Sequence, residues 1–289
     1  MLKVKTLKPV EDMGAPEIIL RGDIQEIRNN TAGENVTGIE KLIGKKQNIV
    51  IESYGGDEDV RDCITSLAEL LVKEDPLMKG FIRKLRQHYC DQQKPFSFSV
   101  SAWDENDKKK LREIFEEELC GIVDSVDVDS NPDIITGNLV FSPAAMAFLT
   151  GRYMEIGVYE IAKSVMKEIA ARCKISWNIY RNVKVTTKKG IPKNEFDVVI
   201  ECEGIFYVIE VKSGEKFNAW GSLVDSGREY NIVPGRLLLV DSWLSDEKAG
   251  RIEDHCQYYV SNLEHDSLRK KILTMITNDL QEEHDGQSS

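Results

Sequence analysis

The stretch Asn194–Gly214, NEFDVVIECEGIFYVIEVKSG, restricts what this chain can fold into more than any other segment. Two runs rich in β-branched and aromatic residues flank Glu203-Gly204, and a glycine at the second position of a two-residue turn is a tight-hairpin signal. With those two residues as the loop, Cys202 faces Ile205, Ile200 faces Tyr207, Val198 faces Ile209 and Phe196 faces Val211. All eight are apolar, so this side is expected to be core. Side chains alternate along a strand, so the other side carries Glu201 opposite Phe206, Val199 opposite Val208, Asp197 opposite Glu210, and Glu195 opposite Lys212.

Opposed carboxylates repel by a few tenths to about 1 kcal/mol when exposed, and by more when partly buried. A cation between them reverses that sign. Two carboxylates on a rigid hairpin with a lysine one step along suit a hard Mg²⁺ or Mn²⁺ ion and phosphodiester hydrolysis. In that reading Asp197 and Glu210 hold the metal, while Lys212 stabilises developing charge or orients a water. The alternative is an amphipathic hairpin whose polar face is merely solvated, as many antiparallel faces are. An acidic-X-Lys triplet alone decides nothing, since Asp107-X-Lys109 and Asp246-X-Lys248 also occur, both in polar stretches.

Composition narrows the class. Hydrophobic residues make up 41% and charged residues 30%, the balance of a globular protein with a real core. No apolar run reaches bilayer length, and MLKVKTLKPV lacks the apolar stretch of a secretory signal, so no membrane association and a cytoplasmic location are expected. The six cysteines contain no CxxC pair, which argues for reduced structural thiols rather than a zinc site. A net charge of −11 argues against gripping nucleic acid through bulk positive charge. It leaves room for a nuclease, because a metal supplies charge of its own and local basic clusters can hold phosphates. One such cluster is Arg181, Lys184, Lys188, Lys189 and Lys193, which reads equally well as a solvated turn.

Along the chain, NIVIES (48–53) reads as a strand ended by a turn at Gly55-Gly56-Asp57, and residues 59–89 show helical spacing. The turn lacks the helix-opening lysine of a phosphate-binding loop. A strand at 95–103, a helix over KKKLREIFEEELCG and strands in GIVDSVDV and GNLVF follow. Ser142-Pro143 is a helix-start signal. From it the order is helix to about residue 171, strand 176–186, strand 195–202, strand 205–212, strand 236–241, helix, short strand and a last helix from about residue 267. The organisation expected is therefore an N-terminal α/β domain over 1–141, a second domain over 142–283, and a disordered acidic tail over 284–289.

An acidic residue at the end of one strand, then Glu-X-Lys on the next, flanked by helices, resembles the PD-(D/E)XK nuclease superfamily. A closer resemblance joins this hairpin to FLTGRYMEIGVYEIAKSV, Phe148–Val165. The two together look like the nuclease domain of CRISPR-associated nucleases activated by cyclic oligoadenylate. There a Gly-Gly-Trp-Leu-Glu-like helix motif precedes an Asn-Glu-hydrophobic-Asp strand and a Glu-Cys-Lys strand. Gly151-Arg152-Tyr153-Met154-Glu155 stands at the first motif, Asn194, Glu195 and Asp197 at the second, and Glu210 and Lys212 at the third. Arg152 and Tyr153 depart from the pattern, and the first 140 residues are short for the Rossmann-like sensor domain of such relatives. The resemblance covers roughly 140–245. It implies an α/β (α+β) restriction-endonuclease-like core with a mixed central sheet, and it adds Glu155 as a further metal ligand or orienting group. Glu155 sits at the edge of the expected buried stripe Met154, Val158, Ile161, Ala162 and Val165. Glu195 is either an accessory or a strand-end surface residue.

The function implied is a Mg²⁺- or Mn²⁺-dependent endonuclease acting on DNA or RNA in antiviral or mobile-element defence. Two other classes fit the same residues: an effector gated by a cyclic oligonucleotide, and a non-catalytic nucleic-acid-binding protein that keeps the fold. Superfamily relatives are often homodimers, and the resemblance extends that expectation here.

Overall fold

The computed structural model describes residues 4–6, 19–21, 38–44, 46, 48–56, 62–72, 76–116, 121–127, 131, 133–213 and 220–286. Its strands are β1 (Val4–Thr6), β2 (Ile19–Arg21), β3 (Ile49–Gly55), β4 (Pro95–Ser99), β5 (Val123–Asp127), β6 (Ile134–Leu139), β7 (Trp177–Thr187), β8 (Pro192–Cys202), β9 (Ile205–Lys212), β10 (Leu237–Asp241) and β11 (Tyr259–Ser261). The helices are α1 (Asp62–Val72), α2 (Pro76–Cys90), α3 (Glu105–Glu116), α4 (Pro143–Ala147), α5 (Tyr153–Cys173), α6 (Trp220–Glu229), α7 (Asp246–Cys256) and α8 (His265–Gly286). The single helical segment expected over 59–89 is two helices. Helix α8 runs into the stretch expected to be a disordered tail.

Six strands form a mixed sheet in the order β11-β10-β9-β8-β7-β3. Strands β9, β10 and β11 are parallel, and β9, β8, β7 and β3 alternate antiparallel. Strands β4, β6 and β5 make a separate three-stranded antiparallel sheet. The β8–β9 hairpin has the register its sequence demands: Cys202 pairs with Ile205, Ile200 with Tyr207 and Val198 with Ile209. Glu203 and Gly204 both take positive φ, 51° and 82°, the pair a type I′ turn requires.

Both faces of the six-stranded sheet are covered. Val198, Ile200, Cys202, Tyr207, Ile209, Leu238 and Val240 pack with α1, α5 and α8. Val199, Val208, Leu237 and Leu239 pack with Leu223 of α6, Ile252 of α7 and the 3₁₀ turn holding Ile39 and Leu42. A hairpin with one solvated face is therefore not what forms, since Val199 and Val208 are fully buried. Burying each such side chain contributes about 1.5–3 kcal/mol.

The first core extends well beyond the second half of the chain. Leu67, Leu70 and Leu71 of α1, Phe81 and Leu85 of α2, Phe96 of β4 and Ile135 of β6 belong to it. The boundary expected at 141/142 falls inside this shared core, and β3 is the edge strand of the sheet that residues 177–261 otherwise build.

Helix α4 starts where Ser142-Pro143 signals it, with Ser142 Oγ accepting from the Ala145 N–H at 3.1 Å. A π-helical turn over Phe148–Arg152 then leads into α5. The expected stripe on α5 is buried, but so are Tyr153, Ile156, Tyr159, Met166 and Ile169. The reason is α1, which packs along α5. Their contact is close at Gly157, where an added Cβ would collide with the Val72 side chain and sit 3.2 Å from the Ala68 carbonyl oxygen. Gly157→Ala is therefore expected to destabilise the protein by about 1–3 kcal/mol through overpacking. A lower urea midpoint at unchanged slope is the result that checks it.

Candidate active site

The ladder between β8 and β9 stops at Val198–Ile209. Beyond that point β8 is held by β7, with Phe196 on Val183 and Glu195 on Lys184, while β9 is held by β10, with Glu210 on Leu239 and Lys212 on Asp241. The facing pairs Phe196/Val211, Asp197/Glu210 and Glu195/Lys212 expected from strict register therefore do not form as ladder pairs. The cause is Asp197 itself, whose Oδ2 accepts the Val211 N–H at 2.7 Å and takes a donor the strand ladder would use. Phe196 turns into the second core, against Tyr230 at 5.0 Å between ring centroids, rather than joining Val198. The hairpin is splayed at its open end, with a carboxylate wedged into the gap.

Lys212 Nζ pairs with Glu210 Oε1, both side chains being largely covered. Burial first, and then the Glu210 carboxylate, push the Asp197 pKa up to about 8, against partial relief from the Val211 N–H and Lys212; Glu155 adds to the upward push. Burial lowers the Lys212 pKa, but its pairing with Glu210 and the charges of Asp197 and Glu155 outweigh this and raise it. Glu155, in the first turn of α5, is also raised, by burial and by Glu195, with Arg152, Lys212 and Arg181 opposing. The four residues read from the sequence as catalytic thus share one electrostatic environment. Glu195 lies toward the surface, 4.0 Å from Lys184.

Gly151 brings the start of α5 to the end of β9. An added Cβ there would sit 2.8 Å from Ser213 Oγ, which donates to the Thr150 carbonyl at 2.7 Å. The glycine of the helix motif is thus explained by close approach, and it carries Glu155 toward the strand end that holds Lys212.

The sequence reading missed two residues. Asp241, buried at 3% exposure, pairs in register with Lys212, and burial raises its pKa against Trp243 N–H, Lys248 and Lys212. Its position at the end of the apolar run RLLLVD was the available signal. Arg181, the first residue of the basic cluster, is instead 1% exposed, lies over the Tyr159 ring at 5.7 Å, and donates to the Gly56 carbonyl at 3.3 Å. Lys184, Lys188, Lys189 and Lys193 are exposed as expected. The other two acidic-X-Lys triplets sit in the first turns of α3 and α7.

Among the described residues no three His, Cys, Asp or Glu side chains group closely enough to hold a metal ion unaided. The donor chemistry nonetheless fits a hard divalent cation. Carboxylate oxygens are the ligands such an ion takes, Mg²⁺ commonly uses only one or two of them together with water and substrate phosphate, and the charge crowding at Asp197 is what a cation would relieve. Four described cysteines, Cys90, Cys173, Cys202 and Cys256, are free thiols. No described helix is long and apolar enough to cross a membrane.

No protein-family model and no curated relative matches the chain by sequence. Solved structures do match its fold. Can2 from Sulfobacillus thermosulfidooxidans, determined in complex with cyclic tetra-adenylate, superposes with a TM-score of 0.50 at 16% identity, over 75% of this chain and 55% of that one. Protein VC1899 from Vibrio cholerae matches with a TM-score of 0.47 at 14% identity, over 76% of this chain and 57% of the other. The chain thus spans little more than half the length of the structures it is similar to.

Proposed function

We propose that this chain is a Mg²⁺- or Mn²⁺-dependent endonuclease with a PD-(D/E)XK site, cutting DNA or RNA in defence against mobile elements. One observation carries the reading. A half-buried Asp197, with its pKa pushed to about 8, is wedged in the splayed hairpin beside the Glu210–Lys212 pair. Burying like charges together costs stability, and a structural role alone gives no return for that cost.

Asp197 and Glu210 would hold the ion, with Glu155 orienting water or completing the shell. When bound, the ion supplies an electrophile for a phosphate oxygen and a more acidic water. Asp197 is fixed by the Val211 N–H, so its carboxylate needs no reorganisation. Lys212 stays cationic and would stabilise negative charge developing on the phosphate. Asp241 positions Lys212 from the neighbouring strand. The N-terminal residues are read as a regulatory or substrate-binding unit that shares the core.

A second reading, gating by a cyclic oligonucleotide, is favoured by the likeness in fold to a protein seen with cyclic tetra-adenylate. One experiment addresses both. Single- and double-stranded DNA and RNA are incubated with wild type and with the double variant Asp197→Ala/Lys212→Ala, in Mg²⁺, Mn²⁺ or EDTA, with and without cyclic tetra-adenylate. Metal-dependent cutting that the double variant lacks is expected, and a requirement for the cyclic nucleotide would establish gating. Cutting that survives the double substitution would remove these residues from the active site.

A further inference from the structure

We propose that the outer face of α2, with Trp243, forms the track that holds a single nucleic-acid strand beside the candidate active site. This inference deepens the nuclease reading and rests on it. Lys79, Arg83 and Arg86 recur at helical spacing, so they share one face of α2. That face lines a cleft of about 150 Å³ together with Tyr153, Ser213, Ser242 and Trp243. Lys79 Nζ reaches the Ser242 carbonyl at 3.5 Å, and the Arg83 guanidinium lies 5.4 Å from the centre of the Trp243 ring. Among the described residues none of the three cations is ion-paired with a carboxylate. In a chain of net charge −11 such a concentration stands out.

Its location ties it to the chemistry. Ser213 and Ser242 directly follow Lys212 and Asp241, which face each other at the ends of parallel strands β9 and β10. In sheets of this kind ligands bind beyond the carboxyl ends of the parallel strands. Tyr153 lies two residues before Glu155 and feels Arg86 across the cleft. A phosphodiester bound between α2 and these strand ends would lie just beyond Lys212 and Asp241 and against the first turn of α5, the turn that carries Glu155.

The cleft selects among anionic ligands. It is smaller than the roughly 300–1,000 Å³ of pockets that enclose a whole small molecule, which suits a length of backbone passing through. Trp243 is 39% exposed on the rim and held by Nε1–H donation to the Ser213 carbonyl at 3.0 Å. It offers a fixed ring on which an unpaired base can stack, the usual partner of a basic groove in single-strand binding. A base within a duplex has no free face to offer it.

The test measures binding of fluorescein-labelled single strands of DNA and RNA to the full chain by anisotropy, with Ca²⁺ replacing Mg²⁺. The triple variant Lys79→Ala/Arg83→Ala/Arg86→Ala should bind roughly tenfold more weakly or worse, and the slope of log affinity against log salt should fall by about 2, at about 0.7 for each of three lost phosphate contacts. Trp243→Ala should weaken binding severalfold, while Trp243→Phe should largely preserve it. If the triple variant does not fold, the exposed Arg83→Glu replaces it and should weaken binding severalfold. Unchanged affinity and salt slope in a folded variant would overturn the track. So would a variant that loses only binding of cyclic tetra-adenylate, because the cleft would then serve a regulator. A wild type that binds through these residues but never cuts would end the nuclease reading and leave the track. Cutting that is equal in wild type and triple variant would do the reverse.

Discussion

Asp197→Asn should leave the metal-free protein more stable than wild type at pH 8 while removing its activity. Asp197 is an acid whose pKa in the folded state, about 8, lies above its ordinary value of 3.8. Its contribution is therefore fully present below about pH 4, and it is lost as pH rises from there through about 8. A shift of that size bounds the loss at on the order of 5 kcal/mol, before relaxation of Lys212 and entry of water reduce it. Asparagine keeps a side-chain oxygen to accept the Val211 N–H but never acquires the charge. In EDTA the melting temperature of wild type should fall between pH 4 and pH 8, and that of the variant should stay nearly level across this interval. Mn²⁺ should restore wild type at pH 8 and leave the variant unmoved. Cleavage by the variant should drop by at least about 10²–10³, the usual effect of removing one group that stabilises a transition state. A variant that melts below wild type at pH 8 in EDTA would show that Asp197 is not destabilised by its surroundings.

Lys212→Met should produce a different signature at the same place. It keeps the length of the side chain and removes the only cation paired directly with Glu210 among the described residues. The metal-free protein should lose about 1–3 kcal/mol, because a carboxylate is left without its partner. The rise in melting temperature on adding Mn²⁺ should then exceed that of wild type, since the ion now compensates two carboxylates unaided. Cleavage should fall by roughly 10²–10³ in kcat with the affinity for substrate little changed. Equal losses in kcat and affinity would instead make Lys212 a binding residue.

Much of this was legible in the sequence because the hairpin is governed by local rules. Glu203-Gly204 sets the turn, the turn sets the register, and alternation then assigns Val198, Ile200, Tyr207 and Ile209 to one face. Ser142-Pro143 announced α4 for the same local reason. The failures lie where distant groups intervene. Register predicted Asp197 directly across from Glu210, but a side-chain acceptor displaced the ladder, and Phe196 moved to the other core. Arg181 reads as one more basic residue near a turn, and only the fold places it under Tyr159 of α5. Nor does the α5 stripe reveal that α1 packs onto the helix at Gly157, because that contact joins residues far apart in the chain.

The edge strand β3 has a consequence for how the chain is made. Ile49 pairs with Thr187 and Val50 with Thr186, so the segment is synthesised long before the strand it completes. Closing that loop draws on entropy before any contact rewards it, and such non-local pairings are slow to form. Until β7 emerges, Ile49–Gly55 is a β-rich segment without the one strand it pairs with among the described residues. Conversely, a chain begun downstream of Gly56 would leave β7 as an open margin carrying Val183 and Val185, a template for pairing between copies. Expression of the C-terminal half alone therefore invites aggregation, and the early strand acts as that half's built-in guard against it.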